Sequence, residues 1–274
     1  MQKHLLLTIS DDPSALYGVR FVNGFFQNKE EIKFTLLYIE PRTVQHTELA
    51  PPREEESHTC DLALESAMSG LMNAGFEQEH VFCKVKKRMV SKAKDIISEG
   101  NKGLYDAVVL GRRGISRLEE LINDSVSIQV LEASRKAPIW VCRHTEPDRR
   151  NVLVCVDGSE ESLRMVDHAG FFLADEDAHS LTMFQVNQGE AEPESVFRQA
   201  RERLQEHAIP KSRITEKTVE ASNAAAAIEA EAKAGAYSAV AVGYAGKGRR
   251  GLISIGSTAT KLVYSMTGSA LWIG

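Results

Sequence analysis

Two glycine-containing segments near the C-terminus have the composition of a backbone anion site. Gly243-Tyr244-Ala245-Gly246 follows an apolar segment, and Gly256-Ser257-Thr258 comes nine residues later. Glycines directly after a strand let the backbone turn tightly and bring its N–H groups near a ligand. The Gly-Ser-Thr segment opens a predicted helix, where unpaired N–H groups and the helix dipole favour an anion. Together the two segments predict a site for one polyphosphate, as in a nucleotide.

The chain contains two similar halves, so the glycine segments have counterparts in the first half. The matching segments are residues 4–11 with 151–158, 106–114 with 238–246, and 137–141 with 269–273. A repeat of this length is too long for a solenoid. We therefore predict two domains, residues 1–146 and 150–274, joined by the polar segment 143–150.

Strands and helices alternate in each half. In the second half, apolar runs predict strands at residues 152–156, 181–186, 214–219, 238–242 and 270–273. Helices are predicted to follow Ser159, to span 195–207 and 257–266, and to run from Asn223 to Ala234, closed by Gly235. This alternation predicts an α/β fold of two tandem doubly wound domains, each an open five-stranded parallel sheet with helices on both faces.

Ligands of such sheets bind beyond the carboxyl ends of the strands, where the strand order reverses. Asp157 and Gly243 both stand at predicted carboxyl ends. They meet in one crevice if the first and fourth strands of the second half are neighbours.

Composition excludes several classes of partner. The 274 residues carry a net charge of −5, which provides no basic field for nucleic acid or anionic membranes. The four cysteines are scattered without a C-x-x-C pair, which argues against a disulfide framework or a zinc site. The chain has no apolar run long enough to span a bilayer, and its N-terminus does not read as a signal peptide. We expect a cytoplasmic protein.

The second half resembles the nucleotide-binding branch of the universal stress protein family. The resemblance rests on a first strand ending in Asp157-Gly158-Ser159, on the G-x2-G-x9-G-S/T run from Gly243 to Ser257, and on a short last strand containing Trp272. The first half follows the same plan, so the whole resembles a tandem universal stress protein. The resemblance implies an adenine nucleotide alpha hydrolase-like fold, whose last strand pairs domains within a chain or across a dimer.

The resemblance also implies which residues hold the nucleotide, which would be ATP or AMP, with Mg²⁺ left open. Asp157 would bind the nucleoside, and the backbone of Val186 would meet the adenine edge. Phosphate contacts would come from Gly243, Gly246, Gly256, Ser257 and Thr258, with further charge-assisted contacts from Lys247, Arg249 and Arg250. No catalytic residue and no metal ligand is predicted.

The first half departs from this pattern. Ser10 stands in place of the aspartate, followed by Asp11, and Asp124 replaces the third glycine. A carboxylate at a helix N-terminus fills the anion site from within, so we predict that this half binds no nucleotide. Residues 43–59 are an insertion that we predict to be a solvated polar loop, with a lid or partner-binding role as the alternative.

Three functions are compatible with these features. The first is a stress-response sensor or regulator that binds an adenine nucleotide in its C-terminal domain. The alternatives are a nucleotide-free scaffold that acts through dimerisation and protein partners, and a slow ATP hydrolase. Pairing of the two domains can occur within the chain, and a further homodimer stays open. We expect Trp140 and Trp272 to be core or interface residues, and His168 to be a packed or surface histidine.

Overall fold

The computed structural model describes residues 1–12, 16–40, 54–111, 137–146, 148–189, 192–246 and 255–274, with the backbone alone at 54–59. Asp124, Lys247, Arg249 and Arg250 lie outside the described residues, as do positions 41–53 of the first half.

Strands and helices alternate in both halves, as predicted. The first half contains β1 (Lys3–Ile9), α1 (Tyr17–Phe25), β2 (Ile32–Glu40), α2 (Glu54–Asn73), β3 (Val81–Lys87), α3 (Lys92–Lys102), β4 (Ala107–Leu110) and β5 (Ile139–Val141). The second half contains β6 (Val152–Cys155), α4 (Glu160–Leu173), β7 (Leu181–Asn187), α5 (Pro193–Gln205), β8 (Ile214–Glu220), α6 (Ala224–Ala234), β9 (Ala239–Val242), α7 (Ser257–Ser265) and β10 (Ala270–Ile273).

The described strands form one continuous sheet in the order β3-β2-β1-β4-β5-β10-β9-β6-β7-β8. Neighbouring strands are parallel within each half, and the halves join where β5 and β10 pair antiparallel. Each half therefore has the predicted doubly wound plan, and the first and fourth strands of the second half, β6 and β9, are neighbours.

Helices cover both faces of the sheet. Core residues of α1, α2, α4 and α5 pack on one face, and those of α3, α6 and α7 pack on the other. The central strands are buried on both faces, which explains their continuous apolar runs. In the described part of the chain, no helix combines the length and apolar character needed to cross a membrane.

Helix boundaries follow local capping chemistry. Ser159 accepts a hydrogen bond from the Ser162 N–H (3.2 Å), and Asn223 accepts one from the Ala226 N–H (3.2 Å), so each residue caps the helix that was predicted to start there. The prediction of a loop through residue 59 is wrong at its end, because α2 begins at Glu54.

Two tryptophans meet at the junction of the halves. Trp140 of β5 lies directly opposite Trp272 of β10, and their rings stack with centroids 4.2 Å apart and planes 7° apart. Both side chains are fully buried, so they are core and interface residues as predicted. The Trp140 Nε1–H donates to Nε2 of His168 (2.9 Å), which makes His168 a packed histidine. Among the described residues, Trp272 Nε1 has no acceptor.

The turn between α4 and β7 forms a second contact between the halves. The Glu176 carboxylate accepts the backbone N–H groups of Gln27 (2.9 Å) and Asn28 (3.3 Å). His179 Nε2 contacts the Phe25 carbonyl oxygen (2.7 Å), and buried Lys3 pairs with Asp175 (3.0 Å). Because buried polar groups are costly without partners, these contacts fix one orientation of the halves.

The two tryptophans should differ in their importance for stability. Replacing either by Phe removes the same ring volume, but Trp140→Phe also leaves the buried His168 Nε2 without its donor. We expect Trp140→Phe to lower the free energy of unfolding by about 1–2 kcal/mol more than Trp272→Phe. Urea denaturation followed by circular dichroism measures both costs. Equal costs, or a larger cost for Trp272→Phe, would contradict this assignment.

The buried His168 should make the fold acid-sensitive. Burial lowers the pKa of His168 to about 3, so the folded state stays neutral while the unfolded chain takes up a proton. Its contribution to stability is therefore complete above the unfolded pKa of about 6.5 and is lost as the pH falls towards 3.

Replacing His168 by Gln, which can still accept from Trp140, removes this titration. Below pH 6.5, we expect the free energy of unfolding to fall with pH less steeply in His168→Gln than in the parent. The two slopes should differ by up to about 1.4 kcal/mol per pH unit. Burial also lowers the pKa of His4 and His179, so some acid sensitivity remains. Identical pH profiles for parent and variant would refute this role.

Candidate functional site

The predicted site residues of the second half that the structure describes meet near the carboxyl ends of β6 and β9. The pairing of Val152, Leu153 and Val154 with Ala239, Val240 and Ala241 sets these strands side by side. Asp157 follows β6 and Gly243 follows β9, so the chain leaves the sheet in opposite directions around a crevice. This is the point at which the strand order of the second half reverses, as the sequence predicted.

Asp157 is held in place by the start of α4. Its Oδ1 accepts hydrogen bonds from the Ser159 N–H (2.9 Å) and the Ser159 hydroxyl (2.5 Å). Gly158, with φ of +77°, makes the tight turn between them. Because Ser159 caps the helix, Asp157 braces the cap instead of capping the helix itself.

The glycines of the first segment are required by close approaches. A Cβ on Gly243 would lie 2.9 Å from the backbone N of Ser162. A Cβ on Gly246 would lie 2.7 Å from Oδ2 of Asp157. The loop therefore passes directly over the start of α4 and beside the Asp157 carboxylate.

The second glycine segment is joined to the first by a backbone hydrogen bond. The Gly256 N–H donates to the Tyr244 carbonyl (2.8 Å), and a Cβ on Gly256 would lie 3.3 Å from the Cα of Ala245. Gly256 is the N-cap of α7 and has no side chain to bond the N–H groups of the first turn. The positive end of the α7 dipole thus faces the crevice, with Ser257 and Thr258 in its first turn.

The backbone of Val186 forms the opposite wall. In the described residues, the last bond between β6 and β7 runs from the Val156 N–H to the Phe184 C=O (2.9 Å). Alternate residues of a parallel strand turn both backbone groups towards the same neighbour. Val186, two residues beyond Phe184, therefore turns its N–H and C=O towards the space where β6 has ended.

These walls enclose one cavity of about 250 Å³. It is lined by seven predicted residues, Asp157, Val186, Gly243, Gly246, Gly256, Ser257 and Thr258. Lys247 and Arg249, also predicted, lie outside the described residues, so their contacts stay predictions. Sequence reasoning missed Gln185, Asn187, Gln188 and Ile228, which also line the cavity. The position of Asn187 and Gln188, just beyond the predicted second strand, was a usable signal.

Electrostatics in the cavity centre on one carboxylate. Among its described lining residues, Asp157 is the one with a charged side chain. Burial, together with the charge of Asp157, raises the pKa of the Cys155 thiol, which therefore stays neutral. No group of side chains suited to hold a metal ion occurs in the part of the chain that the structure describes.

The corresponding end of β1 is arranged differently. The Ser10 hydroxyl is buried and has no partner among the described residues. The Asp11 carboxylate accepts a hydrogen bond from the Tyr38 hydroxyl, whose pKa is raised by burial and by this contact. The pairing of β1 with β2 matches that of β6 with β7, and it makes Gln185 the counterpart of Tyr38. The first half therefore has a large ring where the second half has an amide side chain.

Comparisons with known proteins agree with this architecture. A profile of the family described as "Universal stress protein family" matches residues 1–143 and 148–271. A comparison with curated protein sequences finds no match.

Three solved structures share the fold over nearly the whole chain. A universal stress protein from Archaeoglobus fulgidus DSM 4304 is 18% identical, with a TM-score of 0.70 over 98% of this chain and 97% of that one. A putative universal stress protein from Pseudomonas aeruginosa UCBPP-PA14 is 16% identical, with a TM-score of 0.55 over 99% and 92%. The cytoplasmic domain of a prokaryotic cation chloride cotransporter is 13% identical, with a TM-score of 0.53 over 100% and 95%.

Proposed function

The chain belongs to the universal stress protein family, and on that premise we propose that its second half binds an adenine nucleotide, ATP or AMP. In this proposal the protein is a stress-response sensor or regulator, whose conformation or partners depend on the bound nucleotide. The observation that carries the proposal is the convergence of seven residues, chosen from sequence alone, around one cavity.

The wall at Val186 suits the adenine edge. A backbone N–H and a C=O facing the same space offer one donor and one acceptor, which complement N1 and the amino group of adenine. The Asp157 carboxylate, with Oδ1 held by Ser159, suits the ribose hydroxyls because a charged acceptor forms stronger hydrogen bonds than a neutral one.

The wall at α7 suits phosphate. The first-turn N–H groups and the hydroxyls of Ser257 and Thr258 supply donors, and the helix dipole adds a favourable field. Gly243 and Gly246 keep side chains out of the space that the phosphates would fill. Additional contacts from Lys247 and Arg249, and a bound Mg²⁺, remain part of the proposal.

The described lining supports binding more than turnover. Phosphoryl transfer depends on several positioned charges and metal ligands. Among the lining residues that the structure describes, Asp157 carries the charged side chain, and Ser159 already engages one of its oxygens. We therefore favour a sensor or regulator over an ATP hydrolase.

The phosphate end is tested by changing Gly256. Gly256→Asp and Gly256→Asn add side chains of nearly equal size, and both residues cap helices well, so α7 should persist. Only Asp adds a charge where phosphate would bind, and like charges 4 Å apart cost about 4 kcal/mol at an effective dielectric constant of 20. We expect ATP affinity, measured by calorimetry, to be at least about a hundredfold weaker in Gly256→Asp than in Gly256→Asn.

The parent chain completes this comparison. Equal ATP affinity in the two variants would show that the phosphates do not bind at the start of α7. If the parent binds neither ATP nor AMP and leaves the cell without a co-purifying nucleotide by mass spectrometry, the nucleotide-free scaffold replaces this proposal.

The nucleoside end is tested by changing Asp157. Asp157→Asn keeps an oxygen for Ser159 but loses the charge-assisted bond to the ribose, which is worth about 1–2 kcal/mol. We expect affinity for ATP and for adenosine to fall by about the same factor, on the order of tenfold. Asp167→Asn is the control, because Asp167 pairs with His207 outside the cavity. A loss confined to ATP would place Asp157 at the phosphates instead.

A further inference from the structure

Tyr244 lies between Gly243 and Gly246, in the loop that borders the proposed phosphate end of the cavity. A loop with glycine on both sides loses much conformational freedom when it is ordered, so it needs an anchor. The side chain of Tyr244 is 7% exposed, although its neighbours Gly243, Ala245 and Gly246 line the cavity. The loop thus buries one large side chain and presents backbone to the ligand.

Tyr244 is not among the described residues that line the cavity beside Asp157. It belongs to the core cluster that includes Ile255 and Ile273. It also lines a separate cleft of about 310 Å³ between the halves, whose other walls include Tyr105 and Pro138 of the first half. Tyr244 is therefore seated in the protein interior and borders this cleft, whereas its loop neighbours border the cavity.

The backbone of Tyr244 is fixed in two directions. Its N–H donates to the Gly274 carbonyl (2.6 Å), just beyond β10. Its C=O accepts the N–H of Gly256 (2.8 Å), the N-cap of α7. One residue therefore joins the glycine loop, the end of the last strand and the start of the helix that would receive the phosphates.

From these contacts we propose that Tyr244 is a positioning residue: its buried ring holds the glycine loop against the N-terminus of α7 and so sets the affinity for the phosphates. This role rests on the proposed function. Tyr244 does not touch the ligand, so its effect should appear at the phosphate end and not at the Val186 end.

The difference between ATP and adenosine tests this role. In Tyr244→Ala the loop loses its anchor, and we expect ATP to bind about tenfold more weakly while adenosine affinity changes by less than about twofold. Tyr244→Phe keeps the ring and should lose less ATP affinity than Tyr244→Ala. Tyr244→Leu keeps a smaller apolar group and should give an intermediate loss, which provides a milder variant if the alanine chain does not fold.

Tyr237 supplies the matched control. It is a tyrosine of the same core cluster, 6% exposed, but it precedes the amino end of β9, away from the cavity. Tyr237→Ala should destabilise the fold to a similar extent without changing the ratio of ATP to adenosine affinity. Calorimetry at a temperature where each variant is folded gives this ratio.

Three results would overturn the role. The first is an equal loss of ATP and adenosine affinity in Tyr244→Ala. The second is a change in the ratio of ATP to adenosine affinity in Tyr237→Ala as large as that in Tyr244→Ala. The third is parent-like ATP affinity in Tyr244→Ala, which would refute this role while leaving the proposed function intact. A parent chain that binds neither ligand would refute the proposed function, and this role with it.

Discussion

The antiparallel pairing of β5 with β10 is the constraint on which the rest of the structure depends. It turns two five-stranded parallel sheets into one sheet, and it buries Trp140 against Trp272 at the centre. Because the strands of the two halves then run in opposite directions, their carboxyl ends face opposite edges of the molecule. The end of β1 and the crevice beyond β6 are therefore kept apart. Within the second half, the parallel pairing of β10 with β9 sets the end of β10 beside the glycine loop, where Gly274 accepts the Tyr244 N–H.

The two copies place different side chains on the same backbone plan. In the second half, Asp157 is braced by Ser159, and Gly246 leaves space beside its carboxylate. In the first half, Asp11 is engaged by Tyr38, a large side chain at the position of Gln185. Such local changes leave the sheet and its junction intact, because neither depends on the side chains at the ends of β1 and β6. The first half still contacts the second. The Gln27 N–H donates to the Glu176 carboxylate, and buried Lys3 pairs with Asp175.

Much of the fold could be predicted because its signals are local. Apolar runs marked the buried strands, and the side chains of Ser159 and Asn223 marked helix starts, since each signal acts within a few residues. The start of α2 at Glu54 was missed because proline and charge suggested a loop. Asn187 and Tyr244 were missed for another reason. The approach of Asn187 to the cavity depends on which strands are neighbours, and the burial of Tyr244 depends on which side of its loop faces the core.

The sequence by itself determined the repeat, the alternation of strands and helices, and the glycine spacing around the crevice. These are properties of composition and period, which short-range sterics and hydrophobicity impose directly on the chain. Only the tertiary structure decided that the two sheets merge through Trp140 and Trp272, and that Tyr244 faces a cleft between the halves. Those arrangements depend on contacts between residues more than a hundred positions apart, and such contacts are selected by the packing of the whole core and not by any local pattern.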